Sequence, residues 1–256
     1  MWRCFIYEQL MKVMKSNLTI DFCRGSIFAP TVAYNESVWK KLCLNFEGYL
    51  PTQRNSQAID LQGNLIQVGS QTWTLSSKAD KVDINFLDGK IDVIISGNGQ
   101  LYTYESIQIL SERIFSIFEK IIDSFNLTST RIAFAPSLIL HQDIPDEIKG
   151  FARSIFRDKK FKGENIDNCD FCNVFRVKTI ILEKEYIVNY LANFAQAQTP
   201  VMQQNLLKMQ NILSVNMDIN TLGNANYVFN LNHVKEFFKL SPSMVEDFLG
   251  FYFKEN

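Results

Sequence analysis

The stretch DNCDFCN, residues 167–173, holds Cys169 and Cys172 with two residues between them, the spacing that metal sites use. A structural zinc site needs four ligands, commonly two such pairs. The other cysteines, Cys4, Cys23 and Cys43, lie far upstream and unpaired in spacing, and the only histidines are His141 and His233. A redox dithiol should open a helix after a strand, whereas this pair precedes a strand-like run. The reading is two small, partly buried side chains, with Cys169 and Cys172 kept as the metal candidate and no cofactor expected.

Carboxylates come next. In LSVNMDIN, Leu213, Val215, Met217 and Ile219 alternate with Ser214, Asn216, Asp218 and Asn220. Alternate residues of a strand share one face at intervals of about 7 Å. Asn216, Asp218 and Asn220 are therefore a candidate ligand- or partner-binding row, or equally the wet face of a half-solvated sheet. A metal-dependent nuclease or hydrolase needs acids that hold a cation and position water. FLDGKIDVII supplies Asp88 and Asp92, and ILEKEYIV supplies Glu183, Lys184 and Glu185. Asp88 and Glu183 fall in expected turns, where such residues occur for turn chemistry and solubility. The catalytic candidates are Asp92, Glu183, Asp218 and His233. Neither histidine has a serine or cysteine nucleophile at a recognised spacing. SGNGQ at 96–100 lacks the lysine of a phosphate loop and the pattern of a dinucleotide fold.

Basic residues cluster once. FARSIFRDKKFKG places Arg153, Arg157, Lys159, Lys160 and Lys162 among Phe151, Phe156 and Phe161. Basic groups interleaved with aromatics can hold single-stranded nucleic acid. A solvated loop anchored by phenylalanines has the same composition. The whole chain carries 26 basic and 27 acidic residues, so no global field draws in a polyanion.

The elements that must position these residues follow from pattern. With 256 residues, 46% hydrophobic, the chain is long enough to bury a sizeable core. No apolar run reaches the roughly 18 residues of a membrane span. Residues 1–16 read as an extension without an export signal, and five scattered cysteines suit a reducing compartment, so a cytoplasmic location is expected. Residues 17–141 read as a first α+β unit. A strand runs from Ile27 to Tyr34, then a helix capped by Asn35 or Ser37. Residues 56–96 form an antiparallel meander of four or five strands, with Asp88-Gly89 as a two-residue hairpin turn. Ile107, Leu110, Ile114, Ile117, Ile121 and Phe125 make the stripe of a long helix that covers the sheet, and STRIAFAPSLILH follows as a strand.

Residues 142–170 are a charged connection. Residues 171–256 are a second α+β unit, able to share one sheet with the first. It has a hairpin turning at Glu183-Lys184, a polar loop or frayed helix in AQAQTPVMQQNLLKMQ, and the strand NILSVNMDIN. One or two closing helices follow, with Ser243 and Glu246 at capping-box spacing after Pro242. Antiparallel runs grouped between helices give an α+β fold: a meander covered by a long helix, plus a smaller strand-hairpin and helix unit. The helix-closed order recurs in both halves without a repeat at a fixed period.

Several stretches together resemble a family of sporadically distributed, uncharacterised prokaryotic proteins of similar length: IFAPTVAYNESVWKKL…GYLP, WTLSSKADKVDINFLDGKIDVIISG, the long helix with TRIAFAP, and LSVNMDIN…NLNHVKEFF. Arg131 and Ile132 match that family's arginine-isoleucine-glycine stretch, but AFAPSLIL lacks its polar continuation. Asp218, Ile219, Asn220 and His233 fit the family's late part. The resemblance covers most of the chain and implies no established activity. Patchy distribution implies a subunit of an anti-phage or toxin–antitoxin set. The expected function is thus a non-enzymatic interaction or sensor subunit with another protein or a second copy as partner. The alternatives are a metal-dependent hydrolase or nuclease, and a nucleic-acid-binding module. No membrane partner is expected.

Overall fold

The computed structural model describes residues 18–59, 65–97, 101–140, 171–203, 206–223 and 226–253. The fold is α+β: one large, open antiparallel sheet with helices packed on one face. Its strands are β1 (Leu18–Phe28), β2 (Leu50–Ile59), β3 (Leu65–Ser77), β4 (Val82–Leu87), β5 (Lys90–Ser96), β6 (Tyr102–Thr103), β7 (Arg131–Leu140), β8 (Phe171–Ile181), β9 (Lys184–Gln203) and β10 (Leu206–Thr221). The helices are α1 (Glu36–Cys43), α2 (Ile107–Phe125) and α3 (Leu231–Phe253). The spatial order is β2-β3-β4-β5-β1-β7-β10-β9-β8, with β6 extending the pairing of β1. No helix is long and apolar enough to cross a membrane among the described residues.

The strands of both halves join in this one sheet. Its order reads the same from either end toward the centre. In the first half, β1 pairs β5, which pairs β4, then β3; in the second, β7 pairs β10, then β9, then β8. A helix follows the innermost meander strand each time, α2 after β5 and α3 after β10. A pseudo-twofold axis therefore passes between β1 and β7, and topology assigns β7 to the second half. One position breaks the match: β2 lies outside β3, while among the described residues nothing lies outside β8.

Side chains sort by alternation. Ile20, Cys23 and Ile27 of β1, Ile91, Val93 and Ile95 of β5, and Ile132, Phe134 and Leu138 of β7 are wholly buried on the helix face. Ile114, Phe118 and Ile121 of α2 and Val234, Phe237 and Phe238 of α3 close over them. Gly25 marks the closest approach. A Cβ there would stand 2.3 Å from Ile114 Cγ2 and 2.9 Å from both Phe118 Cε2 and Phe238 Cζ.

Several local expectations shift. The first strand is Leu18–Phe28 rather than 27–34, because a bulge at Asp21 interrupts its alternation. Asn35 caps α1 as expected, its Oδ1 accepting from Val38 N at 2.9 Å. Gly89 takes the positive φ in the Asp88-Gly89 turn, and Asp88 Oδ1 accepts from Thr31 Oγ1 at 2.6 Å. The second hairpin turns one residue earlier than expected, at Leu182-Glu183, both at positive φ. The polar run read as a loop is strand: β9 continues to Gln203 and returns as β10. Beyond Phe194 and Leu213, where β8 and β7 stop pairing, these two strands pair only with each other among the described residues.

Pro242 does not split the closing helix. Its missing N–H would have bonded the carbonyl of Phe238, four residues back. Ser111 Oγ from α2 donates to that carbonyl instead, at 2.6 Å and fully buried. Ser243 Oγ bonds Leu240 O within the continuous helix rather than opening a new one. Ser111→Ala should cost about 1–3 kcal/mol by stranding a buried carbonyl. Chemical denaturation should show this as a lower midpoint with an unchanged slope.

Candidate functional site

The sheet face away from the helices is polar at its centre and still buried. Ser26 (2% exposed), Asp92 (6%), Ser137 (5%) and Asn220 (3%) lie there, with Ala133 and Ala135 at 6%. Each is the alternate neighbour of a core residue, so the pleat that buries the helix face also presents this row.

On β10 the expected alternation holds. Leu213, Val215, Met217 and Ile219 are in the core, and Ser214, Asn216, Asp218 and Asn220 share the polar face. They form a hydrogen-bonded ladder. Ser137 Oγ donates to Asn216 Oδ1 at 2.8 Å, and Asn216 Nδ2 donates to Ser214 Oγ at 3.3 Å. Asn220 Nδ2 donates to Asp218 Oδ1 at 3.0 Å, and Asn189 Nδ2 of β9 donates to Asn220 Oδ1 at 3.0 Å. Asn189 Oδ1 is buried and meets no donor among the described residues.

The first half carries a matching contact. Ser26 Oγ donates to Asp92 Oδ1 at 2.6 Å across the β1–β5 pair, as Ser137 does to Asn216 across the β7–β10 pair. The register pairs Ser26 with Asp92 and Ser137 with Asn216. The two serine contacts are thus related by the pseudo-twofold axis, and Arg24 and Ala135, paired with each other, lie on it. The two halves differ in charge: Asp92 also takes Lys90 Nζ at 2.9 Å, and Asn216 needs no cation.

Arg24 stands at the middle of this face, partly buried. Among the described residues its guanidinium has no ion-pair or hydrogen-bond partner, and its Nε is buried without an acceptor. Among the described residues the Nε of Arg131 is likewise buried without an acceptor. Its guanidinium covers the Phe28 ring at 4.9 Å, and Lys90 Nζ lies 5.5 Å from the same ring. Sequence reasoning missed Arg24, Ser26 and Ser137, because only the strand pairing places them beside Asp92 and Asn216.

The four catalytic candidates are not brought together. Asp92 and Asp218 share a face but lie three inter-strand spacings apart, about 14 Å. Glu183 sits exposed in the β8–β9 turn. His233 belongs to the first turn of α3, on the helix side of the sheet. No single cation can take these groups, and among the described residues no cluster of three or more His, Cys, Asp or Glu could hold a metal. Cys172 is exposed on β8, while Cys169 lies outside the described residues. So do Arg153, Arg157, Lys159, Lys160 and Lys162.

His233 has a structural setting. Asn230 Oδ1 accepts from its backbone N at 3.2 Å and lies 2.7 Å from Nδ1, so the ring presents its Nδ1 proton there. Phe229 and Tyr186 meet the ring edge-on at 5.9 Å and 6.1 Å. Burial, and then the Lys184 ammonium, hold the imidazole below its usual 6.5. The unfolded chain therefore binds the proton more readily than the folded one. This contribution to stability is complete above about pH 6.5 and is lost as pH falls toward the lowered value. Thermal melts between neutral pH and about pH 5 should show a falling midpoint, and His233→Gln should flatten part of that slope.

The chain matches no protein-family model and no curated protein.

Proposed function

We propose that the protein is a non-enzymatic interaction subunit that docks a partner protein along the β8 edge. One observation carries this reading. β8 ends the sheet among the described residues and offers eleven residues of strand with one side unpaired. Large apolar side chains stand out from it on both faces: Val174 at 55% and Ile180 at 68% on the polar face, Val177 at 45% on the helix face. Long apolar edges invite strand addition, and soluble proteins usually blunt or cover them. Strand addition gives affinity through main-chain hydrogen bonds and specificity through alternate side chains. The internal repeat supports the same docking mode, since the first half fills the matching place with β2, antiparallel to β3.

The scattered carboxylates support no hydrolase or nuclease reading. The resemblance to a sporadically distributed prokaryotic family extends the proposal to one subunit of a bacterial defence or toxin–antitoxin set. The test pairs hydrodynamic mass with residue-resolved cross-linking, on wild type and on a Val174→Lys/Ile180→Lys variant. Wild type should form a complex, with its partner or with a second copy, whose cross-links map to β8. The variant should weaken that complex about tenfold or more at unchanged thermal stability. A wild-type protein that stays monomeric and takes no strand along β8 would end this reading.

A further inference from the structure

Among the described residues, the charge at the centre of the polar face has no counter-charge. Arg24 lies on the pseudo-twofold axis, paired in register with Ala135. Five donors in a planar fork suit a carboxylate or a phosphate bidentately. A partly buried guanidinium with no acceptor is costly, so native proteins satisfy such groups or use them. Neither of the nearby carboxylates among the described residues serves. Asp92 is committed to Ser26 and Lys90. Asp218 falls beside Ala135 on the far side, between the Asn216–Ser137 and Ile219–Phe134 pairs. That is two strands from Arg24, about 10 Å between Cα atoms. On the strand between them the same face carries the small side chains of Ala133 and Ala135.

From this geometry we infer that the polar face binds a small molecule through an oxyanion, a carboxylate or a phosphate group, seated on the Arg24 fork. Ser26 and Ser137 flank the seat symmetrically and are held by Asp92 and Asn216. On the far side, Asp218 and the Oδ1 of Asn189, which has no donor among the described residues, accept hydrogen bonds. The molecule is therefore anionic at one end and a hydrogen-bond donor at the other. The seat lies on the central strand, four strands from the β8 edge in the sheet order, and is independent of docking there.

The experiment titrates inorganic phosphate and acetate separately into the nitrogen-15-labelled full chain and follows the arginine Nε–Hε resonances. A saturable shift of the resonance that disappears in Arg24→Gln is expected for one of the two probes, and which probe saturates identifies the oxyanion. Arg24→Lys should weaken that binding about tenfold, because the ammonium keeps the charge and loses the fork. Arg176→Gln, on exposed β8, should leave it unchanged. Thermal melts give a second readout. In anion-free buffer Arg24→Leu should match or exceed the wild-type Tm, since it removes an unpaired charge. With the binding probe present, wild type should gain a few degrees and Arg24→Leu none. If neither probe saturates at the Arg24 resonance, or if Arg24→Leu lowers the anion-free Tm as a core truncation would, the oxyanion site is refuted.

Discussion

Among the glycines whose surroundings are described, Gly25→Ala should be the most damaging methyl addition. Its Cβ would overlap Ile114 Cγ2 at 2.3 Å and press on the rings of Phe118 and Phe238 at 2.9 Å. None of the three is the flexible end of a polar side chain. All are wholly buried, and they come from both helices at once. Relief requires α2 and α3 to lift off the central strand together, which opens the core along its length. Overpacking costs about 1–3 kcal/mol where one neighbour can yield. Three contacts in one place should exceed that range and lower Tm by about 10 °C or more. Ile114→Ala alone should cost about 2–5 kcal/mol as a cavity. Combined with Gly25→Ala it should cost less than the two added together, because the new methyl enters the space that Ile114 vacates. Denaturant melts of the two single variants and the double variant test this directly. Strict additivity would mean that the helices do not meet at Gly25.

Local pattern carried much of this architecture. Ile107, Leu110, Ile114, Ile117 and Ile121 repeat at helical spacing, and all are buried in α2. Gly89 marks the first hairpin because its backbone needs positive φ. The polar row of β10 follows from strict alternation with core residues. What was illegible depended on neighbours distant in sequence. The outer part of β9 and β10 shows no apolar alternation, and only its pairing with itself identifies it as strand. Pro242 reads as a helix break unless one knows that Ser111, far upstream, supplies the lost hydrogen bond. Asp21 hides the start of β1 by adding one residue to the alternation. Arg24 sits in an apolar run, CRGSIF, where nothing local separates an unpaired charge from an ordinary surface one. The repeat itself is hidden because matching positions differ chemically, Asp92 against Asn216, while the serine that binds each is kept.

That pair also predicts how the buried ion pair in the first half responds to change. Asp92 is 6% exposed and answers both Lys90 and Ser26. Asp92→Ala removes the acceptor for both and leaves a largely buried ammonium without its partner. Breaking one side of a buried pair costs about 3–5 kcal/mol, and the partial exposure of Lys90 places this case near the lower end. Asp92→Asn should cost less, because an amide oxygen at the matching place already satisfies Ser137. The residual cost is the unpaired Lys90 charge, so Asp92→Asn with Lys90→Met should recover most of the wild-type stability. The pair would then be exchangeable for the neutral arrangement that the second half already uses. Urea midpoints for the three variants measure this ordering: Asp92→Ala lowest, Asp92→Asn intermediate, the double variant close to wild type. If the double variant fell as low as Asp92→Ala, the equivalence of the two serine contacts would be structural coincidence. The pseudo-twofold reading of the polar face, with Arg24 on its axis, would then lose its energetic support.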